Sequence, residues 1–323
     1  GGVFAATAIA AAFATILMGV IGKVPIALAS GMGVNAFFTY TVVFQLGLSW
    51  QSALAAVLVS GILFVIISLT GLRQLVINAI PKSLKLAIGA GIGFFIAFIG
   101  FKNAGIIIAD PATFVRLGDF ANPTVLLGLF GVLLILVLFA LNNKISKFAI
   151  IIAILGTGLL GVLLGAIFPG LTAAMPSFGG TNLGNISDIG GLFGQAIVAI
   201  PDLFAHPLAL SVIFTFLFID FFDTAGTLVA VGNEAGLLDD EGQLVGGNQA
   251  LLADAVGTVV GAVVGTSTVT SYIESTTGIK SGARTGLASV FTGVLFLVAL
   301  LFFPLFSIVG GIASGNVDVY GDP

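Results

Sequence analysis

Four stretches of this chain, Val3 to Gly22, Ser49 to Gly71, Pro123 to Leu141 and Phe148 to Pro169, run without one charged side chain. Each reaches the roughly 20 residues that a helix needs to cross the hydrocarbon core of a bilayer. Lipid offers no partner to free backbone N–H and C=O groups, so such runs must close their hydrogen bonds internally, as helices or as a barrel. A barrel would show segments of about ten residues alternating apolar and polar side chains, and these runs do not alternate. The chain therefore reads as an all-α polytopic membrane protein. Its composition agrees: 58% of residues are hydrophobic and 7% charged, outside the range of soluble domains.

Several function classes drop out at once. There is no cysteine, which removes disulfides and thiolate metal sites. No basic cluster resembles a nucleic-acid footprint, and no Rossmann fingerprint, P-loop or zinc-ligand spacing is present. The single histidine, His206, flanks a span beside Pro207 and reads as an interfacial residue. Val3 to Gly22 has no basic flank before it and does not read as a secretory signal.

Basic residues group at Arg73, Lys82 and Lys85, at Lys144 and Lys147, and at Lys280 and Arg284. These groups are expected on the cytoplasmic side. Two crossings, Leu86 to Ile108 and Pro123 to Leu141, separate the first group from the second, and an even number separates the second from the third. Lys23 also falls inside, leaving Lys102 and Arg116 outside. Residues 170–202 are then extracytoplasmic, and the acidic turn from Gly232 to Gly247, with Asp239, Asp240 and Glu241, is cytoplasmic.

Two segments do not read as continuous spans. Lys23 to Gly47 begins Pro25-Ile-Ala-Leu-Ala-Ser-Gly-Met-Gly-Val-Asn35 and becomes a plausible helix only then, through Gln45. Gly265 to Lys280 carries Thr266-Ser-Thr-Val-Thr-Ser-Tyr-Ile-Glu274. Each follows a small-residue span, so one pattern occurs twice, as in transporters built from inverted repeats around a midplane site. Pro25 to Ala29 and Val269 to Tyr272 are expected as short strands, tolerated at membrane depth only where they line a cavity or pack in protein. Helix N-termini at Gly31 to Asn35 and near Tyr272 to Glu274 would turn their positive ends to that cavity.

Asp220, Asp223 and Glu274 lie in or at the ends of these apolar regions. An ionised side chain at the bilayer centre costs roughly 2.5 to 3.5 kcal/mol even on lenient scales, so intramembrane acids default to function. In Ile219-Asp-Phe-Phe-Asp-Thr-Ala-Gly-Thr227, Asp220, Asp223, Thr224 and Thr227 share one helical face. A third acid nearby would disfavour simultaneous ionisation, which suits a group that takes up and releases a proton. A prenyl or phosphatidyl transferase needs basic side chains for diphosphate, and none lies between Phe148 and Ile279. An aspartyl protease needs its acids on opposing elements, and three acids in broken helices would make an odd selectivity filter for a passive channel. A transporter of a neutral or cationic solute fits best. Asp254 reads first as structural, with proton passage as the alternative.

At these residues the chain resembles the azaguanine-resistance type of the nucleobase cation symporter-2 family, the adenine, guanine and hypoxanthine permeases. The resemblance rests on Gly31-Met-Gly-Val-Asn-Ala-Phe-Phe38, Phe218-Ile-Asp-Phe-Phe-Asp-Thr-Ala-Gly-Thr227 and Gly265-Thr-Ser-Thr-Val-Thr-Ser-Tyr-Ile-Glu274, with Leu251-Leu-Ala-Asp254 and Arg284-Thr-Gly286 as further matches. It implies fourteen spans in two inverted repeats of seven, divided into core and gate domains. On that plan the chain starts at the second span and stops near the end of the eleventh, so the first and last three are expected to be missing. Residues 1–71 and 201–323 would be core and 72–200 gate. The resemblance implies proton symport of hypoxanthine, guanine or adenine across the inner membrane, with no enzymatic activity, no metal and no resident cofactor. It leaves room for a homodimer. Another nucleobase such as uracil or xanthine, or Na⁺ coupling, is the alternative. The implied purine site comprises Asn35, Asp223 and Glu274 with Gly33 and Ser271, and the proton-coupling group comprises Asp220, Asp223 and Glu274.

Overall fold

The computed structural model describes residues 2–70, 82–141, 144–168, 186–238 and 244–302. Arg73, residues 170–185, the acids Asp239, Asp240 and Glu241, and the polar end from Gly315 to Pro323 lie outside the described residues. In chain order the elements are α1 (Gly2–Leu17), continued by wider π turns over Met18–Gly22, β1 (Leu28–Ser30), α2 (Met32–Ala36), continued as π-helix over Phe37–Gln45, and α3 (Trp50–Leu69). Then come α4 (Lys82–Asn103), β2 (Ile107–Asp110), β3 (Phe114–Leu117), α5 (Pro123–Ala140) and α6 (Ala149–Ile167). Two short helices, α7 (Gln195–Val198) and α8 (Ile200–Ala205), lead into α9 (Ala209–Ala235), α10 (Gly247–Val264), β4 (Val269–Ser271), α11 (Ser275–Lys280) and α12 (Gly286–Ala299). Among the described residues, six helical spans are long and apolar enough to cross a membrane: Gly2–Gly22, α3, α5, α6, α9 and α10. The sheets are small, and the fold class expected from the sequence is observed.

The chain divides into two compact units, Gly1–Gly93 with Gly184–Leu301, and Phe94–Leu183 with Phe302–Pro323. In the first, α1 packs against α10, α12 and β1, and α3 packs against α9 and α10. Lipid tails are as apolar as leucine, so helices in a membrane associate through close van der Waals packing, which small residues permit. The buried face of α1 follows that rule, with Ala5, Ala6, Ala8, Ala10, Ala11, Ala12 and Ala14. Larger side chains fill the space beyond, with Phe64 edge-on to Phe221 at 5.7 Å and Phe37 edge-on to Phe216 at 5.1 Å.

Gly286, at the start of α12, faces the backbone of Gly19 so closely that an added methyl would collide with the Gly19 carbonyl. The obstacle is backbone, so it cannot swing aside. Gly286→Val is expected to lower unfolding stability in detergent by about 1 to 3 kcal/mol, the usual cost of overpacking. An unchanged thermal midpoint would show that the two segments separate freely.

Both interrupted segments are present, and they pair with each other. β1 and β4 run antiparallel, with Leu28 opposite Ser271, Ala29 opposite Thr270 and Ser30 opposite Val269. The first strand lies later than the expected Pro25 to Ala29, because Pro25 cannot donate to a ladder and Lys23 turns the chain at φ 55°. Non-helical backbone at this depth needs partners, and neighbouring hydroxyls supply them. Thr15 Oγ1 donates to Leu28 O at 2.8 Å and accepts from Leu28 N at 2.9 Å. Ser289 Oγ lies 2.7 Å from Val24 O and 2.9 Å from Ile26 O, and Ser275 Oγ accepts from Ala27 N at 3.0 Å. Gly31 N and Tyr272 N donate to Thr268 O and Ala27 O.

In the second unit α5 packs on α6. Asn122 caps α5, its Oδ1 accepting from Thr124 N at 3.0 Å, with Pro123 in the first turn. The crossing expected over Leu86 to Ile108 ends earlier, at Asn103, because Gly105 at φ 72° closes the helix. Ile106 N then bonds Phe101 O and Gly105 N bonds Lys102 O, a glycine-dependent helix stop. The chain enters the β2–β3 hairpin, which the apolar pattern did not reveal. Asp110 organises its turn, accepting from Ala112 N at 2.8 Å and Thr113 N at 2.9 Å. Those backbone N–H groups hold its carboxyl below the usual carboxylate range, with Arg116 adding to the effect.

Candidate functional site

The offsets that place Asp220, Asp223, Thr224 and Thr227 on one face of α9 bring that face onto α10 and β4. Asp220 is 1% exposed, and Thr224 and Asp254 are fully buried. Thr224 Oγ1 donates to Asp254 Oδ2 at 2.8 Å, and Ser271 Oγ donates to Asp254 Oδ1 at 2.8 Å. Asp254 thereby ties α9 to β4 through α10. Its hydroxyl partners agree with the structural reading made from the sequence.

The network continues outward. Thr270 Oγ1 lies 3.1 Å from Thr224 Oγ1 and donates to Asp223 Oδ2 at 3.2 Å. A line of four side chains thus runs from half-buried Asp223 through Thr270 and Thr224 to Asp254. Asp220 sits beside this line: Thr258 Oγ1 is 3.0 Å from Asp220 Oδ2 and 2.8 Å from Val269 O. Asp220 Oδ1 is buried without a hydrogen-bond partner among the described residues. Asp223 reaches β4 through Thr270, and Glu274 stands three residues beyond the end of that strand.

Glu274 follows β4 and occupies the N-cap of α11; its side chain is exposed. Across the sheet, Gly31 caps α2, where Gly33 and Asn35 are half-buried. Asn35 N bonds Gly31 O at 2.8 Å, and its side-chain amide contacts the hydroxyls of Ser30 and Ser267. Tyr272 Oη donates to Ser30 O at 2.5 Å, joining the two broken segments again. Ser271, expected to meet substrate, directs its hydroxyl to Asp254.

The sequence reading did not single out Ser30, Ser267, Thr258 or Thr270. A signal existed for Thr258, four residues after Asp254 and so on the same helical face. The other three become visible only once β1 and β4 are paired. Chemically, the cluster offers carboxylate and carbonyl acceptors beside hydroxyls that can pass protons. Among the described residues, no group of three His, Cys, Asp or Glu could hold a metal ion.

A protein family described as the Permease family matches residues 2–319. The chain is 48% identical over 309 residues to the guanine/hypoxanthine permease PbuG of Bacillus subtilis, covering 96% of this chain and 67% of that protein. It is 38% identical over 319 residues to the adenine permease AdeP of Escherichia coli, covering 98% and 68%. With PbuO of Bacillus subtilis, a guanine/hypoxanthine permease, it shares 40% over 314 residues, covering 97% and 70%. The chain thus spans about two thirds of the length of these relatives. Among solved structures, the transmembrane domain of the cyanobacterial bicarbonate transporter BicA matches with a TM-score of 0.56 at 15% identity, covering 96% of this chain and 82% of that one. At that identity the likeness concerns the fold alone.

Proposed function

We propose that this chain, which belongs to the Permease family, carries purine nucleobases across the membrane by proton symport. It is a multi-pass membrane transporter and not an enzyme. The observation that carries the purine reading is the meeting of the two broken segments as β1 and β4, with Asp223 and Glu274 beside them. The substrates for which the relatives are named, guanine, hypoxanthine and adenine, support it. Asp223 and Glu274 accept purine N–H groups and Asn35 meets another edge of the ring, with Gly33 and the backbone near Ser271 shaping the wall. We assign residues 1–71 and 201–323 to a core domain that holds the site and 72–200 to a gate domain.

Proton coupling is assigned to Asp220, in concert with Asp223 and Glu274. A threonine hydroxyl has one proton to give, and Thr258 faces two acceptors, Asp220 Oδ2 and Val269 O. The carbonyl can only accept, so the Thr258 proton goes there. The remaining contact closes if Asp220 itself bears a proton on Oδ2. A neutral acid also tolerates the partnerless Oδ1 at lower cost than a carboxylate, since burying unpaired charge is the more expensive case.

The test is uptake of labelled hypoxanthine by cells or vesicles containing the full-length protein. Unlabelled hypoxanthine, guanine or adenine is expected to compete, while uracil and xanthine do not. A pH jump, and not a Na⁺ jump, is expected to drive accumulation. Strong competition by uracil alone would move the substrate class, and Na⁺-driven uptake would remove the proton.

A further inference from the structure

The line from Asp223 to Asp254 has one more contact than it has hydroxyl protons. Asp223 Oδ2 lies 3.2 Å from Thr270 Oγ1, Thr270 Oγ1 lies 3.1 Å from Thr224 Oγ1, and Thr224 Oγ1 lies 2.8 Å from Asp254 Oδ2. Each threonine carries one hydroxyl proton and a carboxylate carries none. With both acids ionised, the threonines spend their protons on the two ends, and the contact between them sets lone pair against lone pair. One added proton closes all three contacts. Placed on Asp223, it turns every hydroxyl toward Asp254; placed on Asp254, it turns every hydroxyl back. Ser271 Oγ, 2.8 Å from Asp254 Oδ1, donates there in either case.

The two ends differ in their surroundings. Asp254 and Thr224 are fully buried and Thr270 is 1% exposed, whereas Asp223 is half-buried. Of the elements packed on α10, α1 with its π turns, α3, α7, β1 and β4 bring no ionisable side chain, and α9 brings Asp220, Asp223 and Glu234. Against α9 also lie α11, with Glu274 at its N-cap and Lys280 in its last turn, and α8, with Asp202. The one cation on these elements, Lys280, pairs with Glu234. Nothing there neutralises a second buried carboxylate, and unpaired buried charge is expensive.

We propose that Asp223 and Asp254 share one proton through Thr270 and Thr224, and that Asp254 is a buried store that takes this proton when a substrate N–H occupies Asp223. The inference rests on the purine reading given above and deepens it. In the transfer the Asp223 O–H bond breaks as its proton joins Thr270 Oγ1, the Thr270 proton joins Thr224 Oγ1, and the Thr224 proton forms the new O–H bond on Asp254 Oδ2. Three protons each cross one hydrogen bond, the negative charge passes from Asp254 to Asp223, and nothing is exchanged with water. A ligand N–H bonded to Asp223 stabilises the charge there, which drives the transfer, and departure of the ligand reverses it. The empty site thus presents a neutral acid and the occupied site a carboxylate acceptor. This proton is separate from the one assigned to Asp220.

The test is infrared difference spectroscopy of the full-length transporter, hypoxanthine-bound minus free, in the C=O region of protonated carboxylic acids. The wild-type protein is expected to lose one band and gain another as the acid moves from Asp223 to Asp254. Asp254→Asn keeps both contacts, its amide donating to Thr224 and accepting from Ser271, but the donor is then permanent and Asp223 is ionised before ligand arrives. Both bands are expected to vanish in that variant, whereas a purely structural Asp254 leaves them in place. Thr270→Val keeps the shape of the side chain and both partners of Asp254, and is expected to lose the gained band; Thr270→Ser is expected to restore it. A wild-type spectrum without the paired change, or a gained band that persists in Asp254→Asn or Thr270→Val, overturns the shared proton. Failure of hypoxanthine to bind the wild-type protein in calorimetry overturns the purine reading itself, and that result appears before any spectrum is recorded.

Discussion

Glu274→Gln in the full-length transporter is expected to abolish proton-coupled hypoxanthine uptake, lowering kcat/KM by roughly 100-fold or more. Glutamine keeps the length of the side chain but replaces one acceptor oxygen with a donor, which meets a purine N–H head on. Hydrogen bonds to charged groups contribute about 1.5 to 3 kcal/mol each, and every 1.4 kcal/mol is about tenfold. Loss of two such bonds accounts for the size of the effect. The fold should not change, because the exposed Glu274 side chain has no hydrogen-bond partner among the described residues. Uptake by the variant is read beside its thermal midpoint, which should match that of the wild type. Robust, pH-independent accumulation by this variant would sink the carboxylate mechanism.

Asp220→Asn is expected to separate binding from coupling. If Asp220 holds a proton on Oδ2, the asparagine amide can donate to Thr258 in the same place, and Thr258 still donates to Val269 O. Stability and purine binding should therefore stay close to wild type. An amide does not release that proton, so accumulation driven by a pH gradient should fall by roughly 100-fold while exchange of labelled for unlabelled base continues. That magnitude corresponds to about 2.8 kcal/mol of lost driving coupling at about 1.4 kcal/mol per tenfold. Wild-type accumulation by Asp220→Asn would take the coupling role away from this residue. A variant that fails to fold would contradict the protonated hydrogen-bond pattern, since the amide reproduces its donor.

Much of this arrangement is legible in the sequence, for identifiable reasons. The spans are legible because bilayer thickness fixes their length and lipid forbids free backbone groups. The two interruptions are legible because Pro25, the glycines near Asn35 and the hydroxyl-rich run from Thr266 to Ser271 cannot continue an apolar helix. The face shared by Asp220, Asp223 and Thr224 follows from helical spacing. The β2–β3 hairpin was hidden because Ile106 to Ile108 extends the apolar run of α4, and Gly105 alone marks the stop. Ser271 is expected from the sequence to bind substrate, but the side chain that decides where its hydroxyl goes, Asp254, lies on a separate helix.

The sequence by itself determined a membrane-embedded helical protein with two broken crossings and acids at their ends. Those properties depend on local period, local length and the cost of charge in lipid. Only the tertiary structure decided that Ser30 faces Val269 and Leu28 faces Ser271, that Thr258 stands between Asp220 and a strand carbonyl, and that two serines more than 200 residues apart hold one asparagine. Three-residue strands carry too little pattern to announce a partner. Their pairing is set by which buried backbone groups and hydroxyls must satisfy one another once the helices have packed.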